Sequence, residues 1–231
     1  MKKILYFICL IVSLGFASCS SDDNDPVVKP TQTGTMTDND GNQYNWVRIG
    51  GLDWMAENMN CGDPYYLWES EDDLGDYSYT IHAGDRVKSA TYYKTFGNYY
   101  TYQQAIDNAP EGWRLPTDDD WKALERELGV SDIDRLGWRD GGGLLMVQTL
   151  EQGTGLNLRF GGELCRWGSP YYLQETHIMD YGMYWTATED KSNDVESAIF
   201  RRILPYQNRV ERNICTLEDR YLSVRYVRDA K

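Results

Sequence analysis

The chain carries few groups able to do chemistry, and their spacing restricts what that chemistry can be. A catalytic site needs a nucleophile, a base and a group that orients the base, or else a metal. Only two histidines are present, His82 and His177, and neither stands in a recognisable motif. Five cysteines fall to three, Cys61, Cys165 and Cys215, if Cys9 lies in a cleaved leader and Cys19 is modified. The nearest two of these are fifty residues apart, without metal-ligand spacing, so no zinc or redox role is expected. Three thiols allow at most one bridge within the chain, and the sequence does not say which. Asp38, Asp40 and Asn42 alternate like the start of a calcium loop, which also needs a distal bidentate carboxylate. Trp46 to Ile49 occupies that region, so a turn closed by Asx side chains around Gly41 is expected instead. Glu189, Asp190, Asn193 and Asp194 form a second oxygen-rich cluster, read as a solvated acidic loop. The expectation is therefore a non-catalytic protein without cofactor or metal.

Recognition chemistry is better represented. The chain holds 18 Tyr and 8 Trp, and seven of them, Tyr65, Tyr66, Trp68, Tyr77, Tyr79, Tyr92 and Tyr93, crowd the irregular segment 61–96. Sugar rings stack on aromatic faces, and Tyr and Trp anchor protein interfaces; the competing fate is inward packing that holds long loops. Tyr66, Trp68, Tyr92 and Tyr93 are the candidate ligand-binding residues. The net charge of −13 argues against nucleic acid and against docking on anionic lipid, and favours a neutral glycan or a protein surface as ligand.

The first residues carry an address. Lys2 and Lys3 precede an apolar run from Ile4 to Leu14, a secretion signal over 1–18 that is too short to span a membrane. Phe16-Ala17-Ser18-Cys19 resembles a bacterial lipobox, which makes Cys19 the expected lipidation site and the lipid anchor the only membrane contact. Residues 19–34, with Ser20-Ser21-Asp22-Asp23-Asn24-Asp25 and then Pro26 and Pro30, read as a solvated acidic tether. The acidic stretch also resembles an export signal to the outer leaflet of the outer membrane. Residues 35–231 remain for one folded domain.

Elements that would position these groups can be read from pattern. Thr35 to Thr37, the polar turn 38–42, Tyr44 to Ile49, Gly50-Gly51 and Leu52 to Asn58 predict a hairpin and a returning strand. Tyr99 to Ala109 predicts a short helix with Tyr102, Ala105, Ile106 and Ala109 on one face. Pro116 and Thr117 announce a second helix over Thr117 to Leu128. Thr117 is its N-cap, Asp118, Asp119 and Asp120 fill its first turn, and Gly129 is its stop. Trp121, Leu124 and Leu128 share a buried stripe, expected to pack with Trp113 and Leu115. Between this helix and the last strands, Gly141-Gly142-Gly143, Gly153, Gly155 and Gly161-Gly162 suggest turns and irregular loops. Met183 to Thr188, Ser197 to Leu204 and Tyr221 to Arg228 read as strands. Helices between a hairpin and later antiparallel strands define an α+β class.

Seven motifs occur in order: Asp-Asn-Asp-Gly-Asn-x-Tyr (38–44), Val-x-Ile-Gly (47–50), Trp-Met-Ala-Glu-Asn (54–58), Gly-x-Tyr-Tyr-Thr (97–101), Ala-Pro-Glu-Gly-Trp-Arg-Leu-Pro-Thr-x-x-x-Trp (109–121), Tyr-Trp-Thr-Ala-Thr-Glu (184–189) and Ser-Val-Arg-x-Val-x-Asp (223–229). Together they resemble the Fibrobacter succinogenes major paralogous domain, common in Bacteroidetes lipoproteins, over residues 35–229. The resemblance implies a C-type-lectin-like fold, two short helices with antiparallel strands and long loops. The Arg-Leu-Pro-Thr segment is also similar to the formylglycine-generating domain, whose paired active-site cysteines have no counterpart here. Many family members carry cysteines where this chain has Ala109 and Tyr226, so the bridge that the resemblance implies between helix and last strand is missing. The expected function is a surface-exposed binding or adhesion module; the alternative is a structural or accessory part of a cell-surface assembly.

Overall fold

The computed structural model describes residues 28–62, 95–167, 172–177, 179–192 and 194–231. Cys19, Tyr66, Trp68, His82, Tyr92, Tyr93 and Asn193 lie outside the described residues, as does the whole of the secretion signal. The described residues form an α+β fold dominated by antiparallel sheet, with three short helices.

The N-terminal hairpin and returning strand form as expected: β1 (Thr33–Thr37), β2 (Gln43–Ile49) and β3 (Leu52–Met55). β1 begins inside the stretch 19–34 read as tether, and Val28 already packs against the core. The first helix, α1 (Tyr102–Asp107), is shorter than the expected span 99–109. Thr101 and Gln104 cap it reciprocally, the Thr101 hydroxyl accepting from the Gln104 N–H and the Gln104 side-chain carbonyl oxygen accepting from the Thr101 N–H. Tyr102 and Ala105 are buried, but Ile106 is exposed, which corrects its place on the inner face. The second helix, α2 (Asp118–Glu127), carries the capping box read from sequence: Asp120 closes it although the motif prefers Glu or Gln. Trp121, Leu124 and Leu128 are all buried. Gly129, with φ of +76°, takes the left-handed conformation that ends the helix.

The stretch read as turns and loops is more regular than its glycines suggest. It holds β4 (Gly137–Asp140), a third helix α3 (Gly143–Met146), β5 (Glu163–Trp167) and β6 (Tyr172–Thr176). β7 (Gly182–Asp190) and β8 (Ser197–Ile203) follow as expected. β9 (Arg209–Thr216) is a strand that the sequence reading passed over, because four of its eight residues are charged or amide. The expected strand 221–228 is instead two short ones, β10 (Arg220–Tyr221) and β11 (Val227–Asp229).

Residues 222–226 between them serve several neighbours at once. The Met59 N–H donates to the Val224 carbonyl and the Met55 N–H to the Tyr226 carbonyl, both at 3.0 Å, while Ser223 N donates to Met183 O at 3.1 Å. A segment that satisfies its backbone on two sides by single bonds cannot run on as one ladder. Three sheets result, in the orders β1-β2-β3-β11, β10-β5-β6 and β4-β9-β8-β7.

Two core clusters lie between these layers. Trp54, Trp121, Tyr184, Leu124 and Val210 belong to one; Met55, Trp113, Leu115, Trp185, Phe200 and Tyr226 to the other. The expectation that Trp113, Leu115, Trp121 and Leu124 are buried holds, although they divide between the clusters rather than meeting in one. Behind α2 runs an ion network with no exposure: Glu125 takes Arg139 through both carboxylate oxygens at 2.6 and 2.8 Å and Arg201 Nε at 2.6 Å. Asp118 joins it by accepting from Arg201 at 2.8 Å and Arg212 at 2.8 Å. The first turn of α2 is thereby clamped to β8 and β9 by charge as well as by packing.

Candidate binding groove

Trp185 sets up the candidate site. Its indole N–H donates to the Tyr100 carbonyl at 2.7 Å, and Tyr102 packs edge-on against it with centroids 5.6 Å apart. The Tyr102 hydroxyl donates to the Ala187 carbonyl at 2.9 Å, pinning α1 to β7 where the register shifts between Trp185 and Glu189. A bulge of this kind frees one strand locally and turns its side chains away from the ladder. Beyond it, Glu189 and Asp190 rejoin the ladder opposite Ala198 and Ser197 and end β7 at the β7–β8 turn.

The result is a groove of about 370 Å³ between α1 and that turn. Tyr102 and Gln103 form one wall, and Glu189, Asp190, Asp194 and Glu196 set its charge, opposed only by Lys191 among the described lining residues. Val195, Ser197 and Leu217 supply the apolar and hydroxyl remainder. Lys191 lies 3.4 Å from Glu189, and the Ser192 hydroxyl donates to Asp190 at 2.6 Å, so two of the carboxylates are already engaged. The turn is tied down by Leu217 N–H donating to the Glu196 carbonyl at 2.9 Å. Burial raises the Tyr102 phenol above its ordinary range, and the Glu189 charge adds to this. That phenol therefore stays protonated and remains a donor.

Of the acidic cluster read from sequence, Glu189, Asp190 and Asp194 do come together here, while Asn193 lies outside the described residues. Tyr102, Gln103, Glu196 and Leu217 were not singled out as site residues. The signal for Tyr102 was present in its capping neighbour Thr101, but helical spacing alone assigns it to the core. The other candidates resolve into structure. Asp38 Oδ1 accepts from the N–H groups of Asp40 and Asn42, each at 2.9 Å, and Oδ2 accepts from Asn42 Nδ2 at 2.9 Å and the Tyr44 hydroxyl at 2.7 Å. All four acceptor positions of that carboxylate are used, and the loop is the Asx-closed turn expected. Among the described residues no group of three or more His, Cys, Asp or Glu is placed to hold a metal ion. His177 is exposed, stacked on Tyr181 and 3.4 Å from Asp180. Cys61, Cys165 and Cys215 are unbridged. Burial pushes the Cys61 and Cys215 thiols up to about 12, which removes thiolate chemistry at neutral pH.

The ordered motifs converge on packing. Arg225 is fully buried, and its guanidinium donates to Asn58 Oδ1 at 2.6 Å and to the carbonyls of Met55, Leu156 and Asn157 at 2.8–2.9 Å. Burial lowers its pKa to about 10, which still leaves it a cation. Arg228 lies between the rings of Trp46 and Trp113, 4.9 and 4.7 Å from their centroids, and donates to the buried Asp53. Arg114 reaches Asp120 and Asp229. Tyr226 donates to the Ala105 carbonyl at 2.9 Å, tying α1 to the C-terminal segment.

These features define a class: an antiparallel-rich α+β domain whose motif residues lock the core and whose groove beside α1 is polar and acidic. The family described as the Fibrobacter succinogenes major domain matches residues 47–228. The chain belongs to that family. No curated protein and no solved structure matches it.

Proposed function

We propose that this chain is a surface-exposed lipoprotein whose domain, C-type-lectin-like in fold, acts as a non-catalytic recognition module. The observation that carries the reading is the groove between α1 and the β7–β8 turn. It offers a tyrosine wall, an amide and several carboxylates on an element held by the rigid sheet behind it. Binding residues concentrate on such turns when a packed scaffold positions them. Carboxylate and amide oxygens accept from the hydroxyls of an uncharged glycan, and their charge repels polyanions. That supports a neutral glycan, with a protein surface as the other ligand class. Tyr66, Trp68, Tyr92 and Tyr93, in the aromatic segment 61–96, are the other candidate ligand-binding residues of this reading. Lipidation at Cys19 would hold the module at the outer membrane through the tether, with no other membrane contact.

A glycan array screened with the purified protein tests this. Glu189→Gln and Gln103→Ala should each lower binding several-fold without moving the unfolding midpoint, and Tyr66→Ala, Trp68→Ala, Tyr92→Ala and Tyr93→Ala report on the aromatic segment. Retention of full affinity by both groove variants would remove the groove from the proposal. Mass spectrometry of the native protein tests the anchor, since an unmodified N-terminus elsewhere than Cys19 refutes lipidation.

A further inference from the structure

The hydrogen-bonding phase of β1 leaves one edge of its sheet open. Asp38 N–H donates to the Asn42 carbonyl at 3.0 Å and Arg48 N–H to the Gln32 carbonyl at 2.8 Å. With the register Gly34↔Trp46 and Met36↔Tyr44, the even-numbered residues therefore point their backbone groups at β2. Those of Thr33, Thr35 and Thr37 point away from it, at the outer edge of the order β1-β2-β3-β11. All three threonines are exposed. Among the described residues the single bond on that side is from the Trp46 indole to the Thr35 carbonyl, at 3.1 Å, and a carbonyl has a second lone pair to give. Free strand edges are templates for another strand, and proteins blunt them with lysine, proline or a bulge. None of those devices stands within Thr33–Thr37.

We propose that this edge pairs with the same edge of a second copy, β1 antiparallel to β1 about a two-fold axis at Thr35. The register is Thr33 opposite the partner copy's Thr37 and Thr35 opposite its own counterpart, so each pair can exchange N–H···O bonds. The interface is self-complementary, as a two-fold contact must be. The absence of charge along the edge favours this occupant. Residues 30–37, Pro-Thr-Gln-Thr-Gly-Thr-Met-Thr, carry no charge in a chain whose net charge is −13, so two copies meet here without the repulsion they meet elsewhere. Exposed threonines opposite one another also make favourable cross-strand pairs. Pairing joins two four-stranded sheets edge to edge. The strand is short, so the contact is smaller than a standard stable interface and the association is weak. It must be captured rather than isolated.

The test is disulfide capture with the full-length protein under mild oxidation. A hydrogen-bonded antiparallel pair has Cα atoms about 5.5 Å apart, within disulfide reach. Thr35→Cys should give crosslinked dimer at least fivefold above the wild type, whose native thiols set the background. Thr33→Cys mixed with Thr37→Cys should crosslink, and each alone should not. Gln43→Cys on the neighbouring strand should stay at background. Unfolding midpoints of the variants, all exposed substitutions, establish that the fold is retained. Thr35→Cys at background refutes the pairing. Thr33→Cys crosslinking as well alone as in the mixture refutes the register. Crosslinking of the Thr35→Cys variant to another polypeptide in place of a second copy refutes self-association.

Discussion

Replacing Trp121 by alanine tests how the helix and the sheet behind it are held. Trp121 has no exposed surface; Trp54 packs edge-on against it with centroids 5.0 Å apart, and Tyr184 follows at 6.1 Å. A tryptophan buries about 150–250 Å², and at roughly 25 cal/mol per Å² complete removal would cost about 4–6 kcal/mol. Two corrections act on that figure. The site is walled by Trp54, Leu124 and Val210, so a cavity remains and adds to the loss. Against it, the Trp121 indole N–H has no hydrogen-bond partner among the described residues, and deleting a buried unsatisfied donor recovers about 1–3 kcal/mol. The expected net loss is about 3–5 kcal/mol, a large fraction of an ordinary domain's stability. Trp121→Phe separates the two terms, because it removes the orphan donor and keeps most of the volume; it should cost about 1–2 kcal/mol. Urea unfolding followed by fluorescence gives both values, provided that the slope against denaturant stays constant. An unchanged midpoint for the alanine variant, or a phenylalanine variant as damaged as the alanine one, would refute this account of the core.

Three further outcomes follow from the buried charges and thiols. Arg225→Lys should lower stability by about 3 kcal/mol, since an ammonium cannot reproduce the guanidinium fork that serves Asn58 and three carbonyls; equal midpoints in urea would contradict it. Burial would raise the Asp118 carboxyl, but the Arg212 hydrogen bonds and the Arg201 charge outweigh it and hold the group well below the usual carboxylate range. Its contribution is therefore complete above the unfolded-state value near 4 and is lost as pH falls toward the folded value, so Asp118→Asn should flatten the acid limb of a stability–pH curve. With Cys61 and Cys215 pushed up to about 12, neither thiol should alkylate appreciably in the folded protein at pH 8, and both should react once it is unfolded in urea. Rapid labelling of the native protein, located by peptide mass spectrometry, would overturn that expectation.

What could be read from sequence was what short-range chemistry decides. The Thr117 cap, the acidic first turn, the Trp121–Leu124–Leu128 stripe and the Gly129 stop are all local, and all stand where the pattern put them. The Asp38–Asn42 turn was legible for the same reason, since the bonds from Asp40 and Asn42 that close it on Asp38 span four residues at most. β9 was not, because Glu211 and Arg212 look like surface until the network opposite supplies Arg202 and Asp118 as partners. The end of the chain failed in the other direction. Tyr221 to Arg228 has strand composition throughout, but its middle is shared among β3, β7 and residues near Tyr100, and no local pattern records that division. The acidic cluster at the β7–β8 turn was visible as composition, whereas the wall that makes it a groove comes from α1, more than eighty residues earlier.

The same contrast explains what the seven ordered motifs are for. Asn58 and Arg225 belong to different motifs and meet in one hydrogen bond; Trp185 donates to Tyr100, and Arg114 and Trp113 meet Asp229 and Arg228. Each pairing crosses a long stretch of chain, so the motifs act as fasteners between distant segments. Tyr226 makes the point most directly. Its buried phenol reaches the Ala105 carbonyl, 121 residues earlier in the chain. A bridge acts chiefly on the unfolded chain, by limiting its freedom. A hydrogen bond acts only in the folded state, and its net worth is about 1 kcal/mol. This tie therefore holds only in the folded state, and the buried tyrosine ring, in the same cluster as Met55, Trp113 and Leu115, adds its burial to it.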